Sequence, residues 1–150
     1  MTDLDVTQRL NDRAAILDVV ASYATAMDSK DWKGLGSLFT GDALWEYATG
    51  GEALRGPEAV VERIRATLEP LALTQHLYGN HVVVVDGDEA THTCYVQAQH
   101  VRDDGAKYLG AGRYADRLRR TEAGWRFSHR VLTSMWNEGD PSVVAGPARA

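Results

Sequence analysis

Two ionisable residues that lie far apart in the chain, Asp28 and His76, have the side chains needed for general acid/base chemistry. Leu17, Ala21 and Ala24 recur at helical spacing, and Asp28 is the next member of that series, so a helix would turn its carboxylate toward the buried side. A charge on an apolar face is costly without a partner. His76, which opens a strand-like segment, is the predicted partner, and a histidine oriented by an aspartate can act as a general base. The alternatives are a solvent-facing Asp28 and a purely structural histidine.

Three helices are predicted in the first half of the chain. Apolar spacing predicts a long helix from about Val6 to Ala26. Asp31 is placed to cap a short second helix that runs through Leu38. The segment Gly56-Pro57-Glu58 indicates the start of a third helix, which Pro70 ends. These helices must pack on whatever the remainder of the chain forms.

The second half of the chain has the pattern of strands. A short strand, Ala43–Tyr47, precedes the third helix, and four longer candidates follow it: His81–Val85, Glu89–Arg102, Lys107–Arg120 and Gly124–Trp136. The loops between the last four are short and rich in Asp and Gly, which indicates an antiparallel meander. Helices followed by such strands predict an α+β fold, and a bent sheet would leave a pocket between the two layers.

Length and charge exclude several classes of protein. The 150 residues fit one domain, expected over residues 1–137, and a tail rich in Gly, Pro, Ala and Ser, residues 138–150, is expected to be flexible or packed on another subunit. A net charge of −5 argues against nucleic acid as a partner. The N-terminus has no signal-peptide pattern and no apolar run is long enough for a membrane span. The expected location is the cytoplasm, with no membrane partner.

Neither a metal ion nor an organic cofactor is expected from the pattern. His81, His92 and His129 are not at metal-ligand spacing with a cysteine or a carboxylate cluster. The single cysteine, Cys94, excludes an internal disulfide and is predicted to be a small core residue rather than a nucleophile. No glycine-rich phosphate loop follows a strand, and the glycines of Gly110-Ala111-Gly112 are predicted to bend the sheet.

Four motifs in this order resemble the SnoaL-like domains of the nuclear transport factor 2-like superfamily. They are the segments Ala26–Trp32, Leu38–Ala43, Gly56–Ala59 and Gly124–Phe127. The likeness extends over approximately residues 8–137. It implies a cone-shaped α+β barrel in which three N-terminal helices pack on a strongly curved, mostly antiparallel sheet and enclose a pocket.

Within that superfamily the chain is similar to the scytalone dehydratases and the hexachlorocyclohexane dehydrochlorinases. Both are cofactor-free lyases in which a histidine oriented by an aspartate moves the key proton, and Asp28 and His76 fall at those positions. Arg130 falls where the dehydrochlorinases have a pocket arginine. Tyr47 and His100 fall where the dehydratases have a substrate-polarising tyrosine and a second histidine. The resemblance therefore implies that all five residues are catalytic.

The same resemblance also has departures. Met27 replaces the tyrosine that precedes the aspartate in the dehydratases, and Tyr23 replaces a lysine of the dehydrochlorinases. The predicted substrate-binding wall consists of side chains expected to face the same pocket: Tyr23, Met27, Trp45, Val96, Ala98 and Leu132. An ordinary ion pair is the alternative for Arg130, with Asp28 or a surface acid, and a structural role is the alternative for His100.

The predicted activity is dehydration of a small, largely apolar, cyclic substrate. Isomerisation or polyketide-type cyclisation would use the same proton transfers and is the first alternative. A non-catalytic binding or assembly module is another, since one fold can serve several functions, and the small subunit of a ring-hydroxylating oxygenase is a third. A curved open sheet leaves an edge and an outer face to cover, so a homo-oligomer, trimer or dimer, is expected.

Overall fold

The computed structural model describes residues 2–145 of the chain. The elements follow in the order α1 (Asp3–Asp28), α2 (Trp32–Gly36), β1 (Phe39–Tyr47), β2 (Leu54–Arg55), α3 (Gly56–Leu68), β3 (Leu73–Asp86), β4 (Glu89–Val101), β5 (Lys107–Thr121), β6 (Gly124–Gly139) and a 3₁₀ helix (Pro141–Val144). None of the helices in this range is both long and apolar enough to cross a membrane.

The six strands form one mixed sheet in the order β2-β1-β6-β5-β4-β3. Strands β3 to β6 are the predicted antiparallel meander, whereas β1 pairs with β6 in parallel. The three helices pack against the sheet, which is curled but not closed. The predicted fold class, a cone-like α+β architecture with a mostly antiparallel sheet, is confirmed.

Helix α1 buries a different stripe from the one that contains Leu17 and Ala21. Its buried side chains include Ile16, Val20, Tyr23 and Met27, the neighbouring stripe of larger residues. Burying branched and aromatic side chains removes more apolar surface from water than burying alanines does, which favours this rotation of the helix. Asp28 ends the helix at the border of the buried face.

A bulge in β3 decides which of its histidines face the interior. Before the bulge, every second side chain of β3 faces the interior: Thr74, His76 and Tyr78. The register then shifts between Gly79 and Val82, next to Asn80, whose φ of 54° is in the left-handed region. One extra residue reverses the alternation of side chains, so His81 also faces inward.

A second bulge does the same in β6. The register shift after Phe127 interrupts the alternation, so His129 and Arg130 exchange the faces that a regular strand would give them. Arg130 is fully buried, while His129 is partly exposed and lies 2.6 Å from Glu46 of β1 through its Nε2. The local sequence alone gives no sign of this exchange.

The described part of the predicted tail is packed on the protein. Strand β6 continues through Gly139, so the domain boundary predicted at residue 137 falls within it. The Asp140 N–H donates to the Lys107 carbonyl over 2.8 Å, its side chain caps the 3₁₀ helix, and Val143 enters the core. Residues 146–150 of the predicted tail lie outside the described residues.

Candidate active site

A cavity of about 920 Å³ lies between the helices and the sheet. Its walls come from α1, α3 and strands β1, β3, β4, β5 and β6, and the last turn of the described chain closes part of it. All six side chains predicted to form the substrate wall are found there: Tyr23, Met27, Trp45, Val96, Ala98 and Leu132. A largely apolar space of this size accommodates a small organic molecule.

Asp28 and His76 are in direct contact. His76 Nδ1 lies 2.6 Å from Asp28 Oδ1, and the backbone N–H of His76 donates to Oδ2 over 2.9 Å. The Thr74 hydroxyl donates to Oδ1 over 3.0 Å. The His76 side chain is 7% exposed and lines the cavity, whereas the Asp28 side chain, at 26% exposed, stands behind it. The end of α1 and the start of β3 thus hold the two groups together.

The surroundings of Asp28 keep its carboxyl group ionised. Burial acts to raise the pKa of Asp28, but the hydrogen bonds from the His76 side chain and backbone and from Thr74 outweigh burial and lower it. A carboxylate can only accept hydrogen bonds, so a neutral His76 must carry its proton on Nδ1. Its Nε2 is then an acceptor, and among the described residues none hydrogen-bonds to it.

His100 lines the same cavity at the C-terminal end of β4. The centres of the His76 and His100 rings are 5.8 Å apart, and His100 Nδ1 lies 3.3 Å from the Tyr108 carbonyl, to which it donates. The pKa of His100 is lowered, mainly by burial and to a smaller extent by the nearby His76. A neutral His100 with its proton on Nδ1 presents Nε2 as a hydrogen-bond acceptor.

Trp45 and Tyr47 form the β1 part of the wall. Their rings pack edge to face with centres 4.6 Å apart. Tyr47 is 40% exposed, so it stands where the cavity meets solvent, whereas Trp45 is 4% exposed. The Trp45 Nε1–H is buried and makes no hydrogen bond to any residue in the described range. Trp45 therefore contributes apolar surface to the wall, with its Nε1–H shielded from the cavity.

Arg130, predicted to be a pocket residue, is not among the residues that line the cavity. Its side chain is fully buried, and Nε and Nη2 donate to the Asp116 carboxylate over 2.9 and 3.3 Å. Its guanidinium carbon lies 4.2 Å from the Tyr23 ring centre and 3.6 Å from that of Tyr114. Burial acts to lower the pKa of Arg130, but the charge of Asp116 and the interactions with Tyr78, Tyr114 and Tyr23 together outweigh it and raise the pKa. The structure thus places Arg130 behind the aromatic wall, and its partner is neither Asp28 nor a surface acid.

Several cavity residues were not singled out in the sequence. Ile64 and Leu68 of α3 line the cavity, and their helical spacing is a signal that could have placed them there. Tyr108 and Tyr114 of β5 also line it, and strand alternation indicates the face of Tyr114. Val144 of the 3₁₀ helix contributes as well, without a periodic pattern to reveal it.

Comparison with known sequences supports this architecture. The profile of the SnoaL-like domain matches residues 8–131. The uncharacterized protein Rv2910c of Mycobacterium tuberculosis is 30% identical over 132 residues, which cover 86% of this chain and 89% of that protein. The matched range therefore spans most of α1 and the positions of Asp28 and His76.

Solved structures share the same fold. LinA, a hexachlorocyclohexane dehydrochlorinase, is 26% identical with a TM-score of 0.80, and the match covers 98% of this chain and 99% of LinA. A candidate scytalone dehydratase from Novosphingobium aromaticivorans superimposes with a TM-score of 0.84 at 22% identity, over 97% of this chain and 99% of that one. At that identity the second match concerns the fold alone.

Proposed function

Because this chain belongs to the SnoaL-like domain family, we propose that it is a cofactor-independent lyase of the dehydratase type. The observation that carries this proposal is the hydrogen-bonded Asp28–His76 pair on the wall of a largely apolar cavity. The likeness to LinA, whose name describes an elimination, supports a reaction that begins with removal of a proton. The expected substrate is small, cyclic and largely apolar, with a β-hydroxy carbonyl group.

In the proposed reaction His76 Nε2 removes a proton from the carbon next to the substrate carbonyl. The electron pair of that C–H bond enters the enolate, and the C–O bond to the β-hydroxyl group then breaks as the carbon–carbon double bond forms. The imidazolium returns its proton to the departing oxygen, so the products are water and the conjugated carbonyl compound. Asp28 fixes the tautomer of His76 and stabilises the imidazolium, and such stabilisation is stronger in a cavity shielded from water.

Two further groups on the wall have the chemistry to orient the substrate. His100, with its proton directed at Tyr108, offers an acceptor for a substrate hydroxyl group. Tyr47 at the rim would contact the more polar end of the substrate. Arg130 lies behind the rings of Tyr23 and Tyr114 and is not proposed to touch the substrate.

Isomerisation or ring closure is the second candidate within the same chemistry. It is favoured by the two histidines that face one cavity with ring centres 5.8 Å apart, since a proton removed by one group could be returned at another carbon. A non-catalytic binding module, in contrast, would gain nothing from a carboxylate that fixes the tautomer of a cavity histidine.

The active species is proposed to be a cytoplasmic homo-oligomer, dimer or trimer. The support is a set of exposed apolar side chains on strands β3 and β4: Leu77, Val82, Val84 and Tyr95. Apolar side chains on a sheet surface are commonly covered by association. Sedimentation equilibrium of the full chain measures the number of subunits directly, and a monomer at micromolar concentration would contradict this part of the proposal.

The test of the function is a screen of cyclic β-hydroxy ketones. Dehydration is followed by the ultraviolet absorbance of the conjugated product, with the wild type and His76→Asn side by side. General-base catalysis contributes about 10²–10⁴-fold, so His76→Asn should lose a factor in that range in kcat/KM. Asp28→Asn should lose activity as well, because the amide can hold Nε2 protonated instead of Nδ1.

His129→Asn is the matched control, because this histidine lies 2.6 Å from Glu46 and does not line the cavity. It should retain wild-type activity. If ketones bind in the cavity without loss of water or proton exchange, the protein is a binding module and not a lyase. If the ketones rearrange rather than lose water, the protein is an isomerase or a cyclase.

A further inference from the structure

A second cluster of chemically active side chains lies on the interior face of the sheet, outside the cavity wall. The cluster consists of His81, His92 and Cys94. Each residue offers one ligand atom, a ring nitrogen from each histidine and Sγ from the cysteine, and the three atoms all lie within 4.8 Å of one another. His92 and Cys94 are buried, and His81 is partly exposed. None of the three is used by the proposed reaction.

The fold brings these residues together in a way that their spacing in the sequence conceals. His92 and Cys94 are two residues apart in β4, so their side chains lie on the same face. The bulge beside Asn80 turns His81 of β3 toward that face. Its Nδ1 then lies 3.0 Å from His92 Nε2. Sequence spacing predicts no metal-ligand grouping of His81 and His92 with a cysteine, and the structure corrects this prediction by bringing both close to Cys94.

A buried carboxylate holds one of the candidate ligands in the form that binds metals. His92 Nδ1 lies 2.7 Å from Asp116 Oδ2, and both side chains are fully buried. The Asp116 carboxylate also accepts from Arg130 Nε over 2.9 Å, and because a carboxylate can only accept hydrogen bonds, it accepts the Nδ1 proton of His92. Nε2 of His92 then carries a lone pair directed at the cluster. A carboxylate behind a metal-binding histidine is the usual outer partner in zinc sites, where it orients the ring and increases its basicity.

From this arrangement we propose that His81, His92 and Cys94 form a binding site for Zn²⁺ or a divalent ion of similar preference. Two imidazoles and one thiolate are a donor set typical of zinc. In a tetrahedral site with Zn–N of about 2.0 Å and Zn–S of about 2.3 Å, the nitrogens are roughly 3.3 Å apart. The two histidine nitrogens, 3.0 Å apart, are already near that separation, and the Cys94 sulfur lies within 4.8 Å of the histidine ligand atoms. Solvent on the partly exposed His81 side completes the coordination.

A bound ion would link the edge strand β3 to its neighbour β4. His81 belongs to β3, the last strand in the sheet, and the other two ligands belong to its neighbour β4. The same edge strand carries His76, so an ion bound here would fix the strand that positions the proposed general base. The site itself is independent of the lyase proposal, since none of its ligands contacts the cavity wall groups that carry the reaction.

Cobalt is the probe for this site, because Co²⁺ replaces Zn²⁺ and reports its ligands by absorbance. The full-length protein is freed of metal with a chelator and titrated with Co²⁺ in the absence of oxygen. One equivalent should bind, with a near-ultraviolet band from thiolate-to-cobalt charge transfer and visible bands typical of tetrahedral cobalt, and Zn²⁺ should abolish both. Cys94→Ser should lose the charge-transfer band.

His81→Asn is the decisive variant, because this partly exposed position tolerates the change and asparagine can still donate to His92. It should weaken Co²⁺ binding by about 10–100-fold or more, a loss at least as large as that seen when an outer partner is removed. His129→Asn, which also removes one histidine, should bind as the wild type does. Absence of the charge-transfer band in the wild type, or unchanged affinity in His81→Asn, would overturn the proposal and leave only a hydrogen-bonded His81–His92–Asp116 chain.

Discussion

Replacing Asp116 by asparagine should destabilise this protein more than any exposed charge substitution. Asp116 and Arg130 are both fully buried, and Asp116 also accepts from His92 over 2.7 Å. In Asp116→Asn the Arg130 guanidinium keeps its charge but loses its counter-charge. The Arg130 Nη1 already has no hydrogen-bond partner among the described residues, so nothing nearby can take over.

The magnitude follows from the cost of an uncompensated buried charge. Removing one partner of such a pair costs about 3–5 kcal/mol. With a urea dependence of about 2 kcal/mol per molar for a domain of this size, the unfolding midpoint should fall by about 1.5–2.5 M. The exposed pair of Asp42 with Arg119 provides the matched control, and Asp42→Asn should leave the unfolding midpoint close to that of the wild type, because exposed ion pairs contribute little.

Urea unfolding followed by tryptophan fluorescence measures both variants. The double variant Asp116→Leu/Arg130→Met should recover much of the loss, because no lone charge is left in the core. If Asp116→Asn unfolds within about 1 kcal/mol of the wild type, Arg130 is not held by this pair. Its placement behind the cavity wall would then be wrong.

Two further predictions concern stability. Gly112→Ala should lower the free energy of unfolding by about 1–3 kcal/mol, because the new Cβ would lie 2.6 Å from the Thr133 carbonyl oxygen. Gly79→Ala is the control in the same urea assay. A Cβ at that position has no neighbouring atom within 4 Å, so the free energy of unfolding should change by less than about 0.5 kcal/mol. Arg120 and Trp125 lower the pKa of Asp12 from 3.8 to about 2, so its stabilisation of about 2 kcal/mol is complete above about pH 5 and is lost as the pH falls toward 2. Thermal unfolding from pH 6 to pH 2 should therefore show a smaller acid-dependent loss in Asp12→Asn than in the wild type, and equal losses would contradict this assignment.

The sequence predicts the helices and the meander because each of these elements has a local periodicity. The third helix ends at Leu68 as Pro70 predicts, and the last three strands are found within a few residues of their predicted bounds. The parallel pairing of β1 with β6 is not visible in either strand. It joins segments more than eighty residues apart, and only the packing of the whole chain selects it.

The candidate site is predictable where side chains follow a regular alternation. Val96, Ala98 and His100 line the cavity because β4 is regular along this stretch. Arg130 is misplaced by sequence reasoning because a bulge and the buried Asp116 determine its position, and neither is a local signal. The cluster around His81 is hidden for the same reason, since one residue in a left-handed conformation decides which way that histidine faces.

The central claim is that His76 removes a proton from carbon within the cavity, and hydrogen exchange measures this without knowledge of the natural substrate. A cyclic ketone that binds the protein is incubated in D₂O, and loss of its α-proton signal is followed by NMR. Exchange should be faster with the wild type and with His129→Asn than in buffer, and His76→Asn should return it to the buffer rate. A bound ketone that exchanges no faster with the wild type than in buffer, or exchange that persists in His76→Asn, would contradict the assignment of His76 as the base.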